Sequence, residues 1–183
     1  MDSGDGITIR DARDDDRAAV RELTLAAYAE YAEVMEPAAW AGLDGALRAA
    51  LESDAAMDRI VAEHGGRIVG SVMLFPPQVQ AYGDLAQAAP APELRLLAVS
   101  AAARGLGVGR ALVDECVARA RAMGATELGL HTSQSMAAAV RLYRRLGFVR
   151  APETDFRPGG AELVEGYRLP LDAVVSAEDA ARE

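Results

Sequence analysis

The sequence predicts a mixed α/β fold in which a central sheet of about six to seven strands is flanked by about four helices. Three observations point to it. Helical and strand periodicities alternate along the chain instead of falling into separate blocks. Two apolar strand-like runs face each other across Gly65-Gly66, as in a hairpin. A glycine-containing turn joins the strand-like run 93–99 to an amphipathic helical stretch. At 183 residues the chain suits one domain with its own core.

The elements follow in order. Residues 1–6 read as a tail, and Ile7-Thr8-Ile9-Arg10 alternates as a first strand. Asp14, Asp15 and Asp16 supply acid for a helix N-terminus, and the helix runs through Val20, Leu23, Leu25, Ala27 and Tyr28 towards Tyr31. Pro37 suits the first turn of a second helix carrying Trp40, Leu43, Leu47 and Leu51. Residues 59–63 and 67–75 form the hairpin, which Pro76 and Pro77 end. Residues 78–92 read as a loop, a candidate lid or rim. Residues 93–99 form a strand and 101–109 a turn, before a helix with Leu112, Val113, Cys116, Val117 and Ala120 on one face. Gly124 ends that helix. Residues 127–132 form a strand, 135–146 a helix stopped at Gly147, and Phe148-Val149 with 163–169 close the sheet. One domain over 7–171 is expected, followed by an acidic tail at 172–183.

Apolar residues make up 51% of the chain and charged residues 26%, ordinary for a globular protein. No apolar run approaches the roughly 20 residues needed to span a bilayer, and the acidic N-terminus has no signal-like stretch. A cytoplasmic protein with no membrane partner is expected. A net charge of −9 disfavours nucleic acid, which is bound by neutralising phosphates, and suits cationic acceptors such as amines. The single cysteine, Cys116, excludes an internal disulfide and a cysteine-built metal site. The two histidines, His64 and His131, sit on different elements without ligand-spaced carboxylates, so no metal is expected.

Arg104-Gly105-Leu106-Gly107-Val108-Gly109 carries the clearest chemistry. Glycines between a strand and a helix let an anion approach backbone N–H groups, and the helix start adds unpaired donors and a positive dipole end. The loop is a diphosphate cradle. Arg110 and Ala111 stand where a P-loop needs Lys and Ser or Thr. The spacing G-x-G-x-G also departs from the dinucleotide fingerprint, and strand 127–132 lacks an acid at its far end for a ribose.

What remains is R-x-x-G-x-G, and here the chain resembles the GNAT N-acetyltransferase superfamily. The resemblance rests on Glu-Leu-Arg-Leu-Leu-Ala-Val at 93–99, the loop leading into Arg110-Ala111-Leu112-Val113, and Ala139-Val140-Arg141-Leu142-Tyr143-Arg144-Arg145-Leu146-Gly147-Phe148. It implies a splayed parallel strand pair, 93–99 with 127–132, that admits acetyl-CoA. The pantetheine arm would pair with the backbone of Leu97, Ala98 and Val99. The pyrophosphate would rest on the loop of Arg104, Gly105, Leu106, Gly107, Val108, Gly109 and Arg110. Many members carry an asparagine where this chain has Ser135-Met136, so Ser135 or Gln134 would stand in for it.

The resemblance also implies catalytic roles. Tyr143 matches the position of a general acid, although a core tyrosine fits the same spacing. Glu93 is the first candidate base, with His131 and water as the others. Strict alternation would put Glu93, Arg95, Leu97 and Val99 on one face of their strand and Leu94, Leu96 and Ala98 on the other. Tyr28, Tyr31, Trp40, Phe75 and Tyr82 are candidate walls of the acceptor site. Cys116 reads as core and His64 as idle. The implied reaction is direct transfer of an acetyl group to a primary amine of a small molecule or peptide in a ternary complex. A Leu97 or Val99 N–H would polarise the thioester carbonyl. A non-catalytic CoA-binding module and an enzyme using another acyl donor remain as alternatives, and a homodimer is compatible with the sequence.

Overall fold

The computed structural model describes residues 6–55, 57–78, 89–158 and 162–171. Seven strands form one sheet: β1 (Thr8–Asp11), β2 (Asp58–His64), β3 (Arg67–Phe75), β4 (Glu93–Val99), β5 (Glu127–Thr132), β6 (Val149–Arg150) and β7 (Glu165–Pro170). Their order across the sheet is β1-β2-β3-β4-β5-β7-β6. Every neighbouring pair is antiparallel except β4 with β5. Four helices cover it: α1 (Arg17–Ala29), α2 (Pro37–Glu52), α3 (Val108–Ala122) and α4 (Ala137–Arg145). Among the described residues no helix is long and apolar enough to cross a membrane.

Strand alternation builds a core on each face of the sheet. On one face Ile60, Val72, Leu74, Leu94, Leu128 and Leu130 pack against Leu112 and Cys116 of α3 and against Tyr143 and Phe148. On the other, Val61, Met73, Phe75 and Leu96 pack against Val20 of α1 and Leu47 and Leu51 of α2. A fully buried leucine such as Leu74 or Leu112 contributes on the order of 2 kcal/mol. The amphipathic spacing of α3 thus buries the predicted face, Leu112, Val113, Cys116 and Ala120.

Strict alternation fails in β4. Ser71 pairs with Ala98 and Met73 with Arg95, so Leu96 and Leu97 together oppose Val72. This is a β-bulge, and Leu96 adopts φ +53°, a region that costs a residue with a Cβ. The extra residue reverses the facing of everything after it. Leu96 joins the α1–α2 core, while Leu97 and Val99 turn to the α3 core that also holds Leu94. The expected common face of Glu93, Arg95, Leu97 and Val99 is therefore divided at the bulge.

Two helix boundaries also differ from expectation. The first helix stops at Ala29 and tightens into a 3₁₀ turn over Glu30–Glu33, placing Tyr31 outside α1. The last helix begins at Ala137, because Ser135 is held by Glu162, 27 residues away, through both its backbone N–H and its hydroxyl.

Gly70 on β3 sets how closely α3 lies on the sheet. A Cβ there would fall 2.6 Å from Val108 Cγ1, 3.0 Å from Leu112 Cδ1 and 3.2 Å from the Ala98 carbonyl. Gly70→Ala should therefore destabilise the fold by about 1–3 kcal/mol through overpacking. Gly45→Ala, inside α2 with nothing within 4 Å of the new Cβ, should stabilise by about 0.5–1 kcal/mol. Urea unfolding midpoints of the two variants check the contrast.

Candidate active site

β4 and β5 hold together only where the start of β4 meets the middle of β5. Glu93 pairs with Gly129 and Leu94 with Leu130, and beyond these the strands part. The bulge at Leu96 and Leu97 follows two residues after the last pair, and a bulge bends the strand that carries it. The backbone groups of β4 that face β5 beyond Leu94 are left without a strand partner. α3 and α4 start at this open end. A Cβ at Gly109 would lie 3.3 Å from Leu142 of α4 and 3.7 Å from Val99 of β4, so the first turn of α3 touches both.

The glycine loop stands at the mouth of this gap. Gly105 and Gly107 have φ +83° and +84°, a left-handed conformation suited to glycine, and Gly107 is the N-cap of α3. Helix geometry leaves the N–H groups of Val108, Gly109 and Arg110 without intrahelical acceptors. No atom lies within 4 Å of a Cβ built at Gly105 or Gly107, so the cradle is open to an anion. Arg104 points back to Glu30 at 2.8 Å, an exposed pair of modest worth that ties the loop to the end of α1. Just past β5, Ser133 is 4% exposed and its hydroxyl has no partner among the described residues.

Tyr143 of α4 is buried, its ring edge-on to Phe148 with centroids 5.6 Å apart. Burial pushes its hydroxyl well above the usual tyrosine range, and the nearby phenols of Tyr28 and Tyr31 add to the effect. Tyr28 packs against the α1–α2 core, whereas Tyr143 belongs to the α3 core. Tyr28 thus acts on the Tyr143 hydroxyl although the two rings belong to different cores. Tyr28 and Tyr31 are themselves edge-on at 5.6 Å, and burial raises both hydroxyls. Arg95 lies 5.7 Å above the Phe75 ring and within electrostatic reach of Tyr28, which gathers Tyr28, Tyr31, Phe75 and Arg95 on one side of the gap. Trp40 is partly buried on the first turn of α2 and belongs to neither core cluster. Tyr82 and most of the 78–92 loop lie outside the described residues.

Glu93 and His131 lie 38 residues apart in sequence, and the structure brings them together. With Glu93 opposite Gly129, His131 falls two residues further along β5 on the same face. Its Nδ1 lies 2.6 Å from Glu93 Oε1 and its Nε2 lies 2.9 Å from the Thr154 carbonyl. The two side chains are 5% and 9% exposed. Phe156 covers the imidazole at a ring distance of 5.2 Å. Thr154 and Phe156 escaped the sequence reading, because no periodicity reveals that the segment after β6 folds back over β5.

The remaining candidates have structural partners. Gln134 donates to Glu165 at 2.9 Å, and Ser135 is held by Glu162. Cys116 is fully buried, and its thiol is pushed up to about 12, chiefly by that burial. Among the described residues no three His, Cys, Asp or Glu side chains converge as a metal site requires.

Known proteins share this fold. Residues 18–148 match the acetyltransferase (GNAT) family. A mycothiol acetyltransferase from Geodermatophilus obscurus is 34% identical over 122 residues, which are 66% of this chain but only 38% of that longer protein. A GNAT-family acetyltransferase from Desulfovibrio desulfuricans superposes with a TM-score of 0.64 at 21% identity, over 91% of this chain and 99% of its own. A Salmonella typhimurium acetyltransferase, whose structure holds its cofactor acetyl-CoA, superposes with a TM-score of 0.60 at 21% identity, over 93% and 96%. The family match covers well over half of the chain and includes β4, the glycine loop and α4, so this protein belongs to the GNAT acetyltransferase family.

Proposed function

We propose that the chain is an N-acetyltransferase that moves the acetyl group of acetyl-CoA to a primary amine of a small molecule or peptide, by direct attack in a ternary complex. The observation that carries this reading is the gap between β4 and β5, with an open glycine cradle at the start of the helix that follows β4. Two features fit the cofactor: the empty space over Gly105 and Gly107, and the orphan hydroxyl of Ser133 at the end of β5. When bound, acetyl-CoA supplies an activated acetyl thioester.

The chain's own groups have the following roles. The N–H groups of Gly105, Gly107, Val108, Gly109 and Arg110, with Arg104 beside them, hold the diphosphate, while the Leu106 N–H donates to the Ala103 carbonyl and keeps the turn closed. The freed backbone of Leu97, Ala98 and Val99 receives the pantetheine arm as an added strand, and a Leu97 or Val99 N–H polarises the acetyl carbonyl. Glu93 accepts the proton of the incoming ammonium, directly or through water. Both ring nitrogens of His131 are engaged, which favours Glu93 over His131 for that task. Tyr28, Tyr31 and Phe75 wall the acceptor side, with Trp40 at its outer margin. The Tyr143 hydroxyl donates a proton to the leaving sulfur. From reference values near 8.5 and 10 this transfer is uphill by about 2 kcal/mol, and the burial of Tyr143 makes it more so. Tyr143 therefore assists departure of the leaving group and is not the main source of rate. Thiol release from acetyl-CoA, measured against amines, amino acids, aminoglycosides, polyamines and peptides, tests the activity and finds the acceptor.

The cradle assignment predicts the effect of Gly107→Asn. Asparagine tolerates the left-handed backbone, so the fold should persist, while its side chain intrudes on the open space. CoA affinity should fall by about 10–100-fold, the worth of a hydrogen bond to a charged group. Calorimetry showing unchanged affinity in the folded variant would contradict the assignment.

The acid assignment predicts the effect of Tyr143→Phe. The ring keeps its contact with Phe148, so stability should change by at most about 1 kcal/mol and CoA affinity little. Turnover should drop by about 10–10³-fold. Because burial raises the Tyr143 hydroxyl, the folded protein keeps a proton that an unfolded tyrosine loses near pH 10. This contribution to stability is intact below that pH and is lost as the pH climbs further. Any alkaline limb due to Tyr143 should accordingly lie above about pH 10. A folded variant that binds CoA and turns over at the wild-type rate would leave a CoA-binding fold without this acid.

A further inference from the structure

We infer that His131 is a positioning residue that holds Glu93 through one shared proton and anchors the segment after β6 over it. The inference rests on the reading of Glu93 as the base. The Thr154 carbonyl can only accept, so His131 Nε2 must carry a hydrogen. That leaves Nδ1 facing Glu93 Oε1 at 2.6 Å. If neither atom carried a proton, two lone pairs would oppose each other at that distance. One proton therefore lies between them, and the pair is neutral overall, as imidazolium with carboxylate or as imidazole with carboxylic acid.

This arrangement fixes which oxygen does the work. Glu93 Oε1 is occupied by His131, so the amine proton goes to Oε2. An N–H bond of the ammonium breaks, an O–H bond forms at Oε2, and the shared proton stays with His131. Buried, and fixed by His131 as its one side-chain partner among the described residues, the carboxylate has little freedom to turn, so the imidazole sets the direction in which Oε2 points. The same ring is gripped from its other side by Thr154 and covered by Phe156. Asp155 between them bonds Arg150 at 2.8 Å and lies within electrostatic reach of His131. Arg95 shares the face of Glu93. Residues 154–156 are thereby tied to the base.

Two measurements test this. The first uses the protein without any ligand. Only two histidines are present, so nitrogen NMR of the imidazoles resolves His131 from His64 by comparison with His131→Asn. His131 should show a hydrogen on Nε2 and a strongly hydrogen-bonded proton at Nδ1, and Glu93→Gln should convert it to the neutral Nε2–H form. An Nδ1 without a proton, unchanged by Glu93→Gln, would overturn the pair. The second is a double-mutant cycle on acetyl transfer. His131→Asn keeps a donor towards Glu93, and His131→Gln keeps one towards Thr154. The Gln variant should lose about 10–100-fold in kcat with little change in the KM for acetyl-CoA, and the Asn variant should lose less. In a Glu93→Gln background neither change should lower the rate further. Undiminished losses in that background would mean that His131 does not act through Glu93. A wild-type protein that binds CoA but releases no thiol with any amine would sink the acyltransferase reading and the catalytic role of the pair, while the nitrogen shifts still judge the shared proton.

Discussion

The left-handed backbone of Leu96 is the constraint on which the site depends. A leucine at φ +53° stores on the order of 1–3 kcal/mol of strain, so its surroundings must hold it there. They do so from two directions. β3 pairs with β4 on both sides of the bulge, and the Leu96 side chain is buried with Val20, Leu47 and Met73. The bend then takes β4 away from β5 after only two paired positions. It also turns Leu97 and Val99 towards α3, which leaves the edge of β4 open beside the start of that helix. The strain of one residue thus yields an unpaired strand edge and a route through the sheet.

An opening through a sheet brings together groups that an intact sheet would separate. Tyr143 comes from the α3 core and Tyr28 from the α1–α2 core, yet Tyr28 adds to the cost of ionising Tyr143. Glu93 and His131 sit at the closed end of the gap, where the last paired residues hold them in register. The polar chemistry is therefore buried at the closed end, and the exposed glycine cradle stands at the open end. That division suits a ligand with a charged diphosphate at one end and a reacting thioester at the other.

Much of this was legible from residue types. Alternating runs located the strands, and Gly105, Gly107 and the apolar stripe of α3 marked the cradle, because glycine adopts those left-handed angles without steric cost. What was hidden depended on contacts distant in sequence. The Leu-Leu at 96–97 looks like any apolar strand pair, and nothing local announces that one of them turns left-handed. Glu93 and His131 were each visible as titratable groups, but the register that joins them is a property of the folded sheet. Thr154 and Phe156 carry no signal at all, since their role arises from a chain reversal over β5. Ser135 was expected inside a helix and is held outside it by Glu162.

The central claim is that CoA lies in the gap opened by Leu96, with its diphosphate on the start of α3. Amide hydrogen exchange with and without CoA tests it most directly. The account predicts slowed exchange at Leu97, Val99 and at Gly105 to Arg110, with no change in the cleft of about 400 Å³ lined by Asp11, Arg17, Asp54 and Arg59. Protection in that cleft, or an unaltered glycine loop under saturating CoA, would contradict it.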